Sequence, residues 1–531
     1  MFLENRVSKW YKELPKNIKI AFVSTFILGL ICHAYMMTNK WVNLDDIVQL
    51  VDNMERTSSG RWFLMFPSAI GSDFSLPWLN GLLTILYSAI MSSLIVAMFD
   101  IKSKISTILI SGIIITFPTI GALMPFMNTQ DSYQFGAMLA GIAAYLLVKK
   151  ENGYIISTIL LTLSLGIYQT YLGYAGALIL IYIMLELFKN KDNYKEMLIL
   201  FAKTAISFVL SLIIYLIISR GIFGHLLVDY KGLDTMGSLP LNQLHIIIFN
   251  AYKGIFDFFA GYEFNYHFVF MPYLFLIGFV LTLYLIYYIA KKSAMEKRKV
   301  TFLLILIALF PLAVNIIYVM SWQAGVMLRM VYGYTVAFML PLILIDYIYK
   351  NLNNDVQFSD IELKKSEEKN TYKKKHLIYY AVIFLTVISS LAVYNNIYVT
   401  NKAYFKVGVT NQNSENYANR IISRIEMVDG YTEKTKVVFL GNPDSRTYFT
   451  KNYDPRDVQP FIIANHLTRL YSFKYYPSRF LGFNNVIKDY DEITEELEPL
   501  RNVIENMPLY PANNSIQMID DTIYVKFKDI K

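Results

Sequence analysis

Ionisable side chains are scarce in this sequence, and those in or beside its apolar stretches are the ones that could do chemistry. An Asp, Lys or Arg at the centre of a membrane costs about 2.5–3.5 kcal/mol on insertion scales, so one retained there has a task or a partner. Two adjacent carboxylates, Asp45 and Asp46, lie in Asn43-Leu44-Asp45-Asp46-Ile47-Val48, and Leu44, Ile47, Val48 and Val51 follow i, i+3, i+4, i+7 spacing. That spacing predicts an amphipathic helix lying on the interface, its carboxylates on the polar side. Neighbours on a helix diverge by about 100°. The pair therefore cannot address one substrate atom together: one would act as a general base while the other holds an Arg or a helix end. An Asn43 N-cap followed by acidic first-turn residues explains the same pair structurally.

Six further residues, in four stretches of the sequence, invite the same double reading. Arg61, in Ser59-Gly60-Arg61-Trp62-Phe63, suits a phosphate contact or interfacial snorkelling. Gln130 and Asp131, in Asn128-Thr129-Gln130-Asp131-Ser132-Tyr133-Gln134, face the same side as Asp45 and Asp46, or Asp131 caps a following helix at Thr129 or Ser132. Tyr168 and Gln169, in Gly166-Ile167-Tyr168-Gln169-Thr170-Tyr171, suit sugar hydroxyls and equally suit hydrogen bonds between helices. Arg329 is the one basic residue of its connection, a candidate for a phosphate or carboxylate, with an ion pair to a bundle Asp as the alternative.

The elements that must position these residues follow from composition. The chain has 531 residues, of which 55% are hydrophobic and only 17% charged. A soluble domain carries about 25% charged residues, so an ordinary soluble enzyme is excluded, as is a disordered or fibrous chain. Cys32 is the single cysteine, so no intramolecular disulfide and no cysteine-based zinc site can form. The six histidines show no ligand spacing, and no nucleotide-binding or zinc-protease motif occurs in a supporting context.

Stretches of roughly 20 apolar residues can cross a bilayer. Eleven are predicted: 18–37, 78–99, 105–125, 132–148, 153–168, 170–188, 199–219, 268–290, 301–320, 331–349 and 376–397. The fifth and sixth form a tight hairpin around residues 166–169. With the N-terminus in the cytoplasm, cytoplasmic connections hold 24 Lys and Arg and the short outer ones hold 7. A single bent helix in place of the hairpin would reverse the later loops and put Lys297-Arg298-Lys299 outside. The net charge of +8 thus reads as anchoring to the lipid bilayer, with no nucleic-acid partner. The expected division is a membrane region over 1–399, with a first exoplasmic loop at 38–77 and a solvated cytoplasmic loop at 351–375, and a small exoplasmic α/β domain over 400–531. In the latter, 416–425 has helical spacing, 436–443 reads as a buried strand and turn, 491–506 as an acidic helix, and 515–528 as a hairpin about Asp520-Asp521.

The order of these motifs resembles a known family. Asp45-Asp46, Gly60-Arg61-Trp62, Gln130-Asp131-Ser132-Tyr133-Gln134, Gly166-Ile167-Tyr168-Gln169-Thr170-Tyr171 and Met507-Pro508-Leu509-Tyr510-Pro511 together look like the glucosyltransferase II (serotype-converting) family, over about residues 20–525. The resemblance implies a mainly α, polytopic helix bundle of the GT-C class. It implies an inverting transfer of a hexose, glucose above all, from a polyprenyl-phosphate donor to a cell-surface glycan on the outer face of a bacterial plasma membrane. By that analogy Asp45 or Asp46 is the base, Asp45 preferred. Arg61 and Arg329 meet the donor phosphate, and Gln130, Asp131, Tyr168 and Gln169 meet sugar or acceptor. Such a reaction needs one carboxylate base and one cation for the leaving phosphate, supplied by Arg or a divalent metal. A polysaccharide polymerase or ligase and a lipid or polysaccharide exporter are the competing readings. The exporter would be expected to show two related halves, and none is visible in the sequence.

Overall fold

Within hydrocarbon a backbone must satisfy its own hydrogen bonds, and a helix does so inside one segment. In the computed structural model each predicted span is helical over most of its length, the third broken at Phe117 and the ninth at Asn315. It describes residues 2–529 apart from 42–43, 49–56, 58, 72–73, 190–191, 229–240, 262–267, 321–325, 353–368, 444–472 and 490–496. After α1 (Phe2–Glu13) come α2 (Lys16–Thr38), the short α3 (Leu44–Val48) and α4 (Met65–Ile70), α5 (Pro77–Phe99), α6 (Lys104–Thr116), α7 (Pro118–Leu123) and α8 (Gln130–Lys149). Then follow α9 (Gly153–Leu165), α10 (Tyr171–Leu187), α11 (Tyr194–Leu216), α12 (Leu244–Phe259), α13 (Met271–Lys292), α14 (Lys297–Val314), α15 (Ile316–Met320), α16 (Tyr334–Asn351) and α17 (Lys369–Glu426). Among the described residues, six helical stretches are long and apolar enough to cross a membrane: Lys16–Thr38, Pro77–Phe99, Lys104–Leu123, Tyr194–Ile222, Met271–Lys292 and Leu377–Glu426. Helices α9 and α10 are apolar but shorter.

Side-chain contacts fix the directions. Ser164 and Ser157 of α9 donate to Gly136 and Ala143 of α8, so α8 and α9 are antiparallel. Gly136 and Gly141 of α8 lie against Tyr171 and Tyr174 of α10, so those two run parallel. The chain therefore turns back between α9 and α10, as the hairpin reading requires. Asn401 of α17 donates to Cys32 O at 3.1 Å, and the Tyr404 hydroxyl lies 2.9 Å from His33 Nδ1. A Cβ on Gly408 would sit 2.6 Å from the Tyr35 hydroxyl. Rising numbers on both sides make α2 and α17 parallel. At the end of the bundle away from the loop carboxylates, buried Asp346 of α16 caps the start of α6 by accepting from Lys102 N (2.9 Å) and Ser103 N (2.7 Å), and it pairs with Lys350.

Four expectations change. The connection 220–267 is not simply a loop, since α12 lies within it. Residues 369–375, expected in the cytoplasmic loop, already belong to α17; residues 353–368 of that loop lie outside the described residues. The last span and the helix expected at 416–425 are one continuous helix of 58 residues, so a division at 399/400 falls inside it. Finally, α3 does not present its apolar side to the interface alone: Ile47 is buried against the C-terminal region. Asn43 and Val51, the expected cap and last apolar position of that helix, lie outside the described residues.

The C-terminal region carries β1 (Lys436–Leu440), α18 (Tyr476–Phe480), β2 (Ile487–Asp489), α19 (Arg501–Asn506), β3 (Ile516–Ile519) and β4 (Thr522–Lys526). The strand order is β2-β1-β4-β3, parallel except for the β3–β4 hairpin. That hairpin turns on Asp520 and Asp521, both at positive φ, as a two-residue turn demands. Alternation sorts β1 into two faces. Val437 and Phe439 pack on Tyr417, Ala418, Ile421 and Ile425 at the end of α17, while Val438 and Leu440 pack on Ile504 and Met507.

Candidate active site

The bundle end from which α5, α8, α10 and α16 start gathers most of the predicted site residues. On α3, Asp46 is fully buried and Asp45 half-buried. Asp46 Oδ1 accepts from Ser75 Oγ (3.2 Å) and Asn128 N (3.2 Å), and Oδ2 from Met127 N (3.3 Å). Lys40 donates to Ser75 O at 2.6 Å and brings its charge towards Asp46. Asp46 thus ties the first loop to the turn that precedes α8.

Burial pushes the Asp46 carboxyl up from 3.8 to about 6; the Asp45 charge adds to this, while the Asn128 and Met127 amides and Lys40 oppose it. The native state therefore keeps its proton between about pH 4 and 6 where the unfolded chain has lost it. The stability this group contributes falls as pH rises through that window. Function should run the other way. A protonated Asp46 turns one acceptor oxygen into a donor facing an amide, and the grip on the 127–128 turn weakens. We expect kcat/KM to decline below an apparent pKa near 6. Asp46→Asn should flatten that acid limb, and a limb that persists unchanged in the variant would assign the titration to another group.

The first turn of α8 forms the middle of the site. Gln130 and Asp131 are buried, and Ser132 Oγ lies 3.1 Å from Ser68 Oγ of α4. Thr129 precedes the helix without a side-chain cap, so Asp131 is a first-turn residue and the proposed cap is not formed by Thr129. Asn80 of α5 donates to Met127 O (2.5 Å) and Phe74 O (3.0 Å). Gly71 closes this pocket of polar atoms. A Cβ there would lie 2.5 Å from Asp131 Oδ2 and 3.0 Å from Asn80 Oδ1. Its φ of −81° suits any residue, so Gly71→Ala tests displacement alone. One overpacked methyl typically costs about 1–3 kcal/mol, and we expect turnover to fall by about 10-fold in a variant whose melting temperature shows it folded.

Arg61 belongs to a neighbouring cage. Its Nη1 donates to the Tyr133 hydroxyl at 2.8 Å, and the guanidinium lies over the Tyr168 ring at 5.1 Å from its centroid. Gln169 donates to Tyr215 OH (2.8 Å), which donates to Gly60 O (3.1 Å). Phe63 N donates to Gly166 O at 2.9 Å, and a Cβ on Gly166 would meet Trp62 at 2.8 Å. The Gly60-Arg61-Trp62 and Gly166–Tyr171 motifs, about 100 residues apart in sequence, therefore build one unit. Arg329 sits elsewhere, on the 3-10 turn Leu328–Met330, which Thr119 of α7 holds by donating to Leu328 O at 2.9 Å. Its guanidinium stacks over Phe126 at 4.5 Å, beside the turn that Asp46 grips. No ion pair forms between Arg329 and a carboxylate among the described residues.

Sequence reasoning passed over Ser75, Asn80 and Tyr215, which hold the loop, the turn and Gln169. A buried asparagine in the first turn of an apolar span was the available signal for Asn80; the other two are visible only in three dimensions. Among the described residues no three His, Cys, Asp or Glu side chains gather as metal ligands.

The long apolar helices define a multi-pass membrane protein, and the polar cluster lies at one end of its bundle. The chain belongs to the glucosyl transferase GtrII family, whose model matches residues 34–345, and it is thus a glycosyltransferase by family. That span contains every candidate site residue; the motif at 507–511 lies beyond it. A comparison with curated proteins gives no match. Among solved structures, an oligosaccharyltransferase of Archaeoglobus fulgidus, tethered with an acceptor peptide containing the NVT sequon, is similar at 13% identity and a TM-score of 0.32. The alignment covers 79% of this chain and 61% of that one, so the chain spans about three fifths of its length.

Proposed function

We propose that this protein is an inverting hexosyltransferase of the GT-C class. It crosses a bacterial plasma membrane eleven times with the N-terminus in the cytoplasm, and it moves glucose from a polyprenyl-phosphate donor to a cell-surface glycan on the outer face. Asp45 takes the proton of the acceptor hydroxyl. The freed oxygen attacks the anomeric carbon, the bond from that carbon to the phosphate oxygen breaks, and polyprenyl phosphate leaves with the electron pair. Arg329 balances the charge on the departing phosphate, with Arg61 held in its tyrosine cage as the second cation. Gln130, Asp131, Tyr168 and Gln169 line the sugar or acceptor side; Gln130 Oε1 is buried with no hydrogen-bond partner among the described residues, as an acceptor waiting for a ligand hydroxyl would be. The observation that carries the reading is the contrast within one helical turn: Asp46 is fully buried and bonded on both oxygens, whereas Asp45 beside it is only half-buried.

The deciding experiment is transfer in vitro with purified protein, polyprenyl-phosphate sugars and envelope glycans. Product should form with the anomeric configuration opposite to the donor's. Transfer from a nucleotide sugar in place of the lipid donor, or retention of configuration, would refute the reading.

A further inference from the structure

Ile47 follows Asp46 on α3, and neighbours on a helix point about 100° apart. The two therefore face different bodies. Asp46 holds the 127–128 turn of the bundle. Ile47 has no exposed surface, and the cluster that buries it is that of the C-terminal region: Tyr417 and Ile421 from α17, Phe439 from β1, and Tyr476 from α18. The Ile47 carbonyl, at the C-terminal end of α3, accepts a hydrogen bond from the Arg479 guanidinium of α18. A cation at a helix C-terminus is favourably placed for the last carbonyls. Arg479 in turn lies over the Tyr475 ring at 4.8 Å. All of these C-terminal partners lie beyond residue 345, where the family match ends.

We propose that Arg479, together with the apolar seat of Ile47, is a positioning residue for glycosyl transfer: the C-terminal region holds the carboxylate helix in place from outside the bundle. The carboxylate helix is gripped from two sides, at Asp46 and at Ile47, and Asp45 lies on the same helical turn. Loss of the outer grip leaves Asp46 attached but lets α3 pivot about it. A base misplaced by about 1 Å loses up to about 100-fold in rate. This rests on Asp45 as the base, so the test must separate the two assignments.

The experiment uses the full-length protein in three variants, Arg479→Ala, Arg479→Lys and Ile47→Ala, with Arg501→Ala as control, since Arg501 is exposed and forms ion pairs with Glu498 and Glu505. Hydrogen exchange of a peptide covering 44–48 is measured beside donor KM, kcat and melting temperature. Arg479→Ala should raise exchange at 44–48 while β1 and β4 stay protected, and should lower kcat by about 10–100-fold with little change in donor KM. Arg479→Lys, which can still donate to the carbonyl, should recover much of both. Ile47→Ala should reproduce the exchange effect by a second route and stands in if Arg479→Ala does not fold. Unchanged exchange, or raised exchange with wild-type kcat, would overturn the proposal. Raised exchange and lowered kcat together with an active Asp45→Asn protein would uphold the positioning role and overturn Asp45 as the base.

Discussion

Asp45→Asn is expected to slow glycosyl transfer by about 10²–10⁴-fold, the usual cost of a lost general base, while donor binding and melting temperature stay near wild type. Asn keeps the size of Asp and most of its hydrogen bonding but cannot take a proton at neutral pH. A purely structural role predicts otherwise: an acidic residue at a helix N-terminus contributes about 0.3–1 kcal/mol, and its loss would lower stability slightly and spare turnover. The neighbour makes the comparison sharper. Asp46 has both oxygens engaged by Ser75, Met127 and Asn128, so Asp46→Asn places an amide NH2 against a backbone N–H and should disturb structure as well as rate. If Asp45→Asn retains more than about a tenth of wild-type turnover, it falls short of a general-base loss, and Asp46 or Asp131 takes its place. Single-turnover measurements with saturating donor separate the chemical step from product release.

Arg329→Ala should cost about 10²–10³-fold in kcat, as the removal of one preorganised charge stabiliser does elsewhere. The guanidinium is held by stacking on Phe126 and, among the described residues, is not neutralised by a carboxylate. Arg329→Lys keeps the charge but loses the planar fork and much of the stacking, so an intermediate loss is expected. Arg61→Ala is the comparison. It would break the bond to Tyr133 and open the tyrosine cage, and its loss should show in melting temperature as well as in turnover. Unchanged kcat and donor affinity in Arg329→Ala would remove that residue from the phosphate site.

What the sequence disclosed depended on whether the signal was local. The helical spans were legible because hydrocarbon forces long apolar runs into helices, and the Asp520-Asp521 turn was legible because its two residues carry the conformation themselves. The carboxylate pair and the motif at 166–171 stood out as polar groups where apolar ones would serve. Three features were not legible. A helix that leaves the membrane loses its apolar run but not its hydrogen bonds, so α17 looked like a span plus a separate helix. The amphipathic pattern of α3 showed that Ile47 is covered, yet lipid and protein are equally apolar covers. The different surroundings of Asp45 and Asp46 needed Ser75 and the 127–128 amides, which come from distant stretches of chain.

The continuity of α17 makes it a spacer with a phase as well as a length. At about 1.5 Å per residue its 58 residues extend about 87 Å, against about 30 Å of hydrocarbon. It lies along α2 as far as Gly408 and enters the sheet core from Tyr417 onward. Between those points the helix is continuous, so rotation and height are locked together. One residue inserted there would turn the sheet by about 100° and lift it by about 1.5 Å, carrying Arg479 off the Ile47 carbonyl. Four residues would nearly restore the rotation, about 40° from the start, but raise the sheet by about 6 Å. No insertion in this stretch preserves both, so the seat of the sheet on Ile47 is written in helical turns and admits a single register.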